Sequence, residues 1–70
     1  MGLFSDYVIF IKFRDGDEGY FVRVEGDGVI CNPYASNAKK YRSSMSANYE
    51  IGYYLSDFDD IIRYTRVERY

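Results

Sequence analysis

The sequence predicts a mainly β fold with a short helix, an α+β domain of about five antiparallel strands forming a curled sheet or a small barrel. Three observations carry this. Apolar and aromatic residues alternate with polar ones along much of the chain, the period of a strand with one buried face. Glycine-bearing acidic stretches, Asp15-Gly16-Asp17-Glu18-Gly19 and Gly26-Asp27-Gly28, punctuate the first half as hairpin turns. Residues 35–48 drop the alternation for Ala, Ser, Asn and Lys, the composition of a helix or ordered loop that would cover the sheet.

The central strand is Tyr7–Arg14. Tyr7, Ile9, Ile11 and Phe13 share one face; Val8 and Phe10 make the first half of the other face apolar too. A strand apolar on both sides belongs inside a sheet rather than at its edge. Ahead of it, Leu3 and Phe4 are expected under the sheet or at an interface. Tyr20–Glu25 is the return strand. Val29–Asn32 is a short third one, stopped by Pro33, which has no N–H for a ladder.

Within 35–48, Ala38, Tyr41, Met45 and Tyr49 follow a 3-4-4 spacing, which suits a helix with a narrow apolar stripe capped by Ser36 or Asn37. Tyr49–Leu55 alternates again and reads as a fourth strand, with Gly52 marking a bulge or bend. Ser56 and Asp57 suit the entry to a helical turn. β-branched and aromatic residues dominate Ile61–Glu68, so a single turn at 57–60 and a last strand fits better than a helix running on to Tyr64. A helical turn between the last two strands resembles the topology of SH3-like barrels. That resemblance implies a fold and no function.

The 70 residues predict one small domain, which buries only about 60% of its unfolded surface. Nine Tyr and five Phe supply the apolar mass such a core needs. There is no histidine, and Cys31 is the only cysteine, so an intrachain disulfide, a His-based triad and a histidine–cysteine zinc site are excluded. Cys31, in a strand without a neighbouring base, reads as a structural thiol. No apolar run is long enough for a membrane span, and the first residues lack the basic and apolar regions of a signal peptide. With a free cysteine, this predicts a reducing, cytoplasmic setting. No cofactor is expected.

Net charge is −2, but the charges come in blocks. Lys39, Lys40 and Arg42 stand without an acid in 31–48; Glu50, Asp57, Asp59 and Asp60 stand without a base in 49–60; Arg63, Arg66 and Arg69 follow. Such blocks form patches of opposite sign or interleave in space, and sequence does not decide which.

Asp15, Asp17 and Glu18 offer oxygen ligands, yet the frame of a calcium loop is missing, so they read as a solvated hairpin. Paired carboxylates at 57–60 would need a cleft to do acid–base work, and a domain of this size has little room for one. The chain is therefore expected to bind rather than turn over. The expected surface is Glu50, Tyr53, Tyr54, Asp57, Asp59 and Asp60, rigid amphipathic rings beside carboxylates. Its expected partner is a larger protein with a basic, nucleic-acid-binding groove. In size and composition the chain looks like the small inhibitors encoded by phages and mobile elements, such as anti-CRISPR or host-takeover proteins. The alternative is a small nucleic-acid-binding module in which Lys39, Lys40, Tyr41, Arg42, Arg63 and Arg66 interleave cations with rings; the acidic total argues against it. A homodimeric subunit pairing open sheet edges is a second alternative.

Overall fold

A computed structural model describes residues 6–70; Leu3 and Phe4 lie outside the described residues. In chain order the elements are β1 (Tyr7–Phe13), β2 (Glu18–Glu25), β3 (Gly28–Asn32), a 3-10 turn (Ala35–Asn37), helix α1 (Ser44–Tyr53), a second 3-10 turn (Leu55–Phe58) and β4 (Ile62–Arg69). The strands form one antiparallel sheet in the order β3-β2-β1-β4. β1 is an inner strand, as its two apolar faces require, and the sheet stays open. The described strands number four, not five, and no barrel closes.

The missing strand is the one expected over 49–55, where α1 runs instead. From 45 to 55 every odd position is apolar or aromatic: Met45, Ala47, Tyr49, Ile51, Tyr53 and Leu55. That pattern satisfies a period of two. It equally satisfies two helical stripes at spacing four, Ala47-Ile51-Leu55 and Met45-Tyr49-Tyr53. The helix wins because Ser43 caps it, its Oγ accepting from the Ser46 N–H at 3.1 Å. Ala47 and Leu55 are buried and Ile51 packs against the core, while Gly52 sits in the last turn of the helix with no strand bulge to mark. The stripe expected from Ala38, Tyr41, Met45 and Tyr49 does not form. Its first half precedes the helix, its second half faces outward, and neither Ser36 nor Asn37 caps an α-helix. Ser56 likewise caps nothing; its Oγ donates to the Gly52 carbonyl at 2.7 Å.

The core lies between α1 and one face of the sheet. Ile9, Ile11, Phe21, Tyr41, Ala47, Leu55 and Ile62 form it, with Tyr7, Phe13, Val29, Cys31, Phe58 and Val67 around them. Gly19, opposite Ile11, lets β2 and β3 approach, since a Cβ there would stand 3.0 Å from the Cys31 Cβ. Gly26 turns the chain from β2 to β3 at φ +59°, a conformation side chains disfavour. The other sheet face carries Val8 and Phe10, 1% and 8% exposed. Phe10 is edge-on to Tyr20 at 5.6 Å between ring centres, and the Arg66 guanidinium lies 4.6 Å from its ring centre. The apolar half of that face is thus buried, as predicted.

Val22 is an extra residue in β2, since Phe21 opposes Cys31 and Arg23 opposes Ile30. Past this bulge β2 leaves β1, and segment 39–41 takes the vacated bonds. Lys39 N–H donates to the Phe21 carbonyl at 3.0 Å; Tyr41 and Tyr7 exchange two bonds of 2.8 and 2.9 Å.

Candidate docking surface

Of the positions expected to form a surface, Tyr53 and Tyr54 fit best. The helix turns Met45, Tyr49 and Tyr53 outward, and they are 79%, 66% and 60% exposed. Tyr49 and Tyr53, four residues apart, stack at 5.7 Å with planes 15° apart. Tyr54 closes the row edge-on to Tyr53 at 4.7 Å. The rings fix one another and support little else. Lys39, Met45, Tyr49 and Glu50 line an open groove of about 440 Å³ along their flank. Met45 and Tyr49 lie outside the expected surface because their spacing with Ala38 and Tyr41 suits a narrow apolar helix stripe.

Glu50 has a different task. Its Oε1 accepts from the Tyr41 hydroxyl at 2.8 Å and from Lys39 Nζ at 3.0 Å, and its side chain is 14% exposed. This clamp fastens α1 to segment 39–41. Tyr41 itself is buried, and its pKa stands well above the ordinary phenol value. Loss of water around the ring is the main cause, and the Glu50 carboxylate adds to it.

The chain also brings its acidic stretches together. Asp15, Asp17 and Glu18 follow the end of β1, and Asp57, Asp59 and Asp60 precede β4, its neighbour. Arg14 ties the two stretches: its N–H donates to the Ile61 carbonyl at 2.9 Å and its Nε to the Asp59 carbonyl at 3.0 Å. Asp15 and Asp60 line one shallow groove there. The three acids of 57–60 are exposed. The hairpin acids also serve the turn, since Asp15 Oδ1 accepts from the Asp17 N–H at 2.9 Å and Glu18 pairs with Lys12 at 3.0 Å. At the other end of β1, Tyr7 lies between Tyr41 and Arg69, which gathers Lys40, Arg42 and Arg69. The acids thus gather toward one end of β1 and several bases toward the other, ~20 Å away along seven strand residues, with Lys12, Arg14 and Arg63 among the acids and Asp6 and Glu68 among the bases. Sequence blocks alone did not give this; the pairing of β1 with β4 did.

The residues expected for nucleic acid are mostly engaged with the protein. Lys39 holds Glu50; Lys40 Nζ donates to the Ser36 and Ala38 carbonyls and stands 4.5 Å from the Tyr70 ring centre. Arg66 pairs with Glu68 at 2.7 Å, and Tyr41 is 7% exposed, too buried to stack on a base. Arg42 and Arg63 are exposed and make no ion pair among the described residues. The six do not assemble into a continuous cationic track.

Cys31 is half-buried, and burial pushes its thiol up to about 11, which leaves it protonated near neutrality. Among the described residues no three Asp, Glu or Cys converge as metal ligands, and no helix is long and apolar enough to cross a membrane. No protein-family model matches the chain, and comparison with curated proteins and with solved structures returns no match.

Proposed function

We propose that the chain is a protein-binding module that acts by contact and catalyses nothing. It docks on a larger protein through Met45, Tyr49, Tyr53 and Tyr54, with Asp57, Asp59 and Asp60 alongside to meet a basic surface. The observation that carries this is the row of three exposed rings, ordered by one another and unused by the core. A rigid exposed tyrosine row loses little entropy on binding and offers both apolar area and hydroxyls. The carboxylates supply charge complementarity, which speeds encounter and selects partners. In its finer form the partner's basic surface is a nucleic-acid-binding groove, and the chain is an inhibitor of the phage or mobile-element kind working in a reducing, cytoplasmic setting. Small size, the lack of histidine and the free Cys31 support that form.

Affinity capture from a lysate of the source cells, followed by titration of the recovered partner, tests the reading. A partner with a basic surface should bind. The Tyr49→Ser/Tyr53→Ser double variant should abolish binding, and the Asp57→Asn/Asp59→Asn/Asp60→Asn triple variant should weaken it and flatten its salt dependence. Equal binding by all three proteins would reject the surface. A gel shift with single-stranded DNA that fades steeply with salt would favour the nucleic-acid reading instead.

A further inference from the structure

We infer that the free edge of β4 is a second binding site, one that takes an extended acidic segment of a partner as a fifth strand. The inference stands apart from the helix-face reading and uses none of its tyrosines.

β4 is eight residues long and lies at the end of the sheet. Its register with β1 and the bond from the Tyr70 N–H to the Asp6 carbonyl, 2.7 Å, fix which groups point inward. Even positions 64, 66, 68 and 70 face β1. By the alternation of an antiparallel ladder, the N–H and carbonyl groups of Thr65, Val67 and Arg69 face out. Among the described residues no backbone group pairs with them. Edges this long are normally shortened, broken by proline or covered. β4 has no proline, and its one irregularity, the extra residue Arg63, lies at its start.

Beside the first half of the edge, Ile62 to Thr65, lies a groove of about 280 Å³ between β4 and the end of α1. Ile51 and Leu55 give it an apolar floor, and Gly52 leaves its wall open, since a Cβ there would meet nothing within 4 Å. An added strand would thus find backbone partners on one side and room for alternate side chains on the other, the usual form of strand addition.

Charge selects the occupant. β4 carries Arg63, Arg66 and Arg69 against Glu68 alone, and the groove wall sets Arg14 and Arg63 against Asp59, which leaves both net positive. Arg66 is neutralised by Glu68, which leaves Arg63 and Arg69 without an ion-pair partner among the described residues. A second copy would set these arginines against another net-positive edge, so self-pairing is opposed. An acidic strand is favoured most at the Arg69 end, since Asp57, Asp59 and Asp60 stand just before β4 and offset part of the charge of Arg63.

The probe is a fluorescein-labelled octapeptide of alternating valine and glutamate, read by anisotropy and by amide hydrogen exchange of the intact protein. Saturable binding is expected, weaker at higher salt, with exchange slowed at the Thr65, Val67 and Arg69 amides. Arg63→Glu/Arg69→Glu should weaken it by about tenfold or more. Thr65→Pro, which removes an outward N–H and leaves the β1 ladder intact, should abolish it. The charge-reversal pair keeps the test decisive if the proline variant does not fold. Tyr49→Ser/Tyr53→Ser should leave it unchanged. No binding, equal binding of the valine–lysine analogue, or binding without protection of those amides would overturn the inference. So would sedimentation at twice the chain mass without peptide, which would mean a second copy occupies the edge.

Discussion

Tyr41 lies against the sheet on segment 39–41, 7% exposed, with its hydroxyl on Glu50. Tyr53 lies on the outer side of α1, 60% exposed, and its ring partners are Tyr49 and Tyr54. The side chain is the same in both places. Backbone decides the difference: segment 39–41 is held by ladder bonds to Tyr7 and Phe21, which place its ring inside, while α1 is held by Ala47 and Ile51, with Leu55 of the following turn, which leaves the opposite stripe outside. Tyrosine content therefore says how much ring area a small fold has. It does not say which rings stabilise and which are left to bind.

The largest contrast is truncation. Tyr41→Ala should cost ~3–5 kcal/mol, the range for removing a buried aromatic ring, and would leave Glu50 without its hydroxyl donor. Urea titration followed by circular dichroism measures it. A loss below about 1 kcal/mol would mean that segment 39–41 is not anchored by this ring.

A gentler change separates ring from hydroxyl. Tyr41→Phe keeps the area and removes the donor to a carboxylate whose side chain is 14% exposed, at a cost of about 1–3 kcal/mol. It should also change the alkaline limb. The folded pKa of Tyr41 is raised, because burial and Glu50 both disfavour phenolate. Its contribution to stability is then fully present below the unfolded value, ~10, and is lost as pH rises above it. Cys31 acts in the same direction from a lower start, its thiol raised from 9.0 to about 11. The comparison belongs in a Cys31→Ala background, where Tyr41→Phe should flatten the fall in stability above pH ~10. An unchanged slope would show that the hydroxyl meets water in solution.

The same contrast explains what sequence disclosed. β1 was legible because Tyr7–Phe13 is apolar on both sides, which few positions in a fold can satisfy. The β1–β2 and β2–β3 hairpins followed from Gly16 and Gly26, both at positive φ. The short turn and last strand followed from the β-branched run after Asp60. α1 was not legible, since apolar residues at every odd position fit a strand and a helix alike, and only the Ser43 cap broke the tie. The helix starts later than the one expected within 35–48 and buries Ala47 and Ile51 in place of the Ala38-Tyr41-Met45-Tyr49 stripe, so Met45 and Tyr49 lie at the surface. Tyr53 and Tyr54 belong to the expected surface and are exposed for different reasons: Tyr53 lies on the outer stripe of α1, and Tyr54 stands where the helix ends. Glu50 was read by its charge, and its partners lie nine and eleven residues away, on a segment whose path depends on the Val22 bulge.

The smallest effect on folding falls at the surface. Tyr53→Ala removes a ring that stacks on Tyr49 and leans on Tyr54, and exposed aromatic pairs contribute ~0.5–1 kcal/mol at most. Alanine returns part of this through its better helix propensity. The net change in unfolding free energy should lie within about 0.5 kcal/mol, against several for Tyr41→Ala. The two variants run side by side in one urea series give the ratio directly. If Tyr53→Ala proves as costly as Tyr41→Ala, the row packs against the body of the protein in solution and loses its standing as a free surface. If the fold stays intact while partner binding falls, the rings on α1 are held in place for contact with something outside the chain.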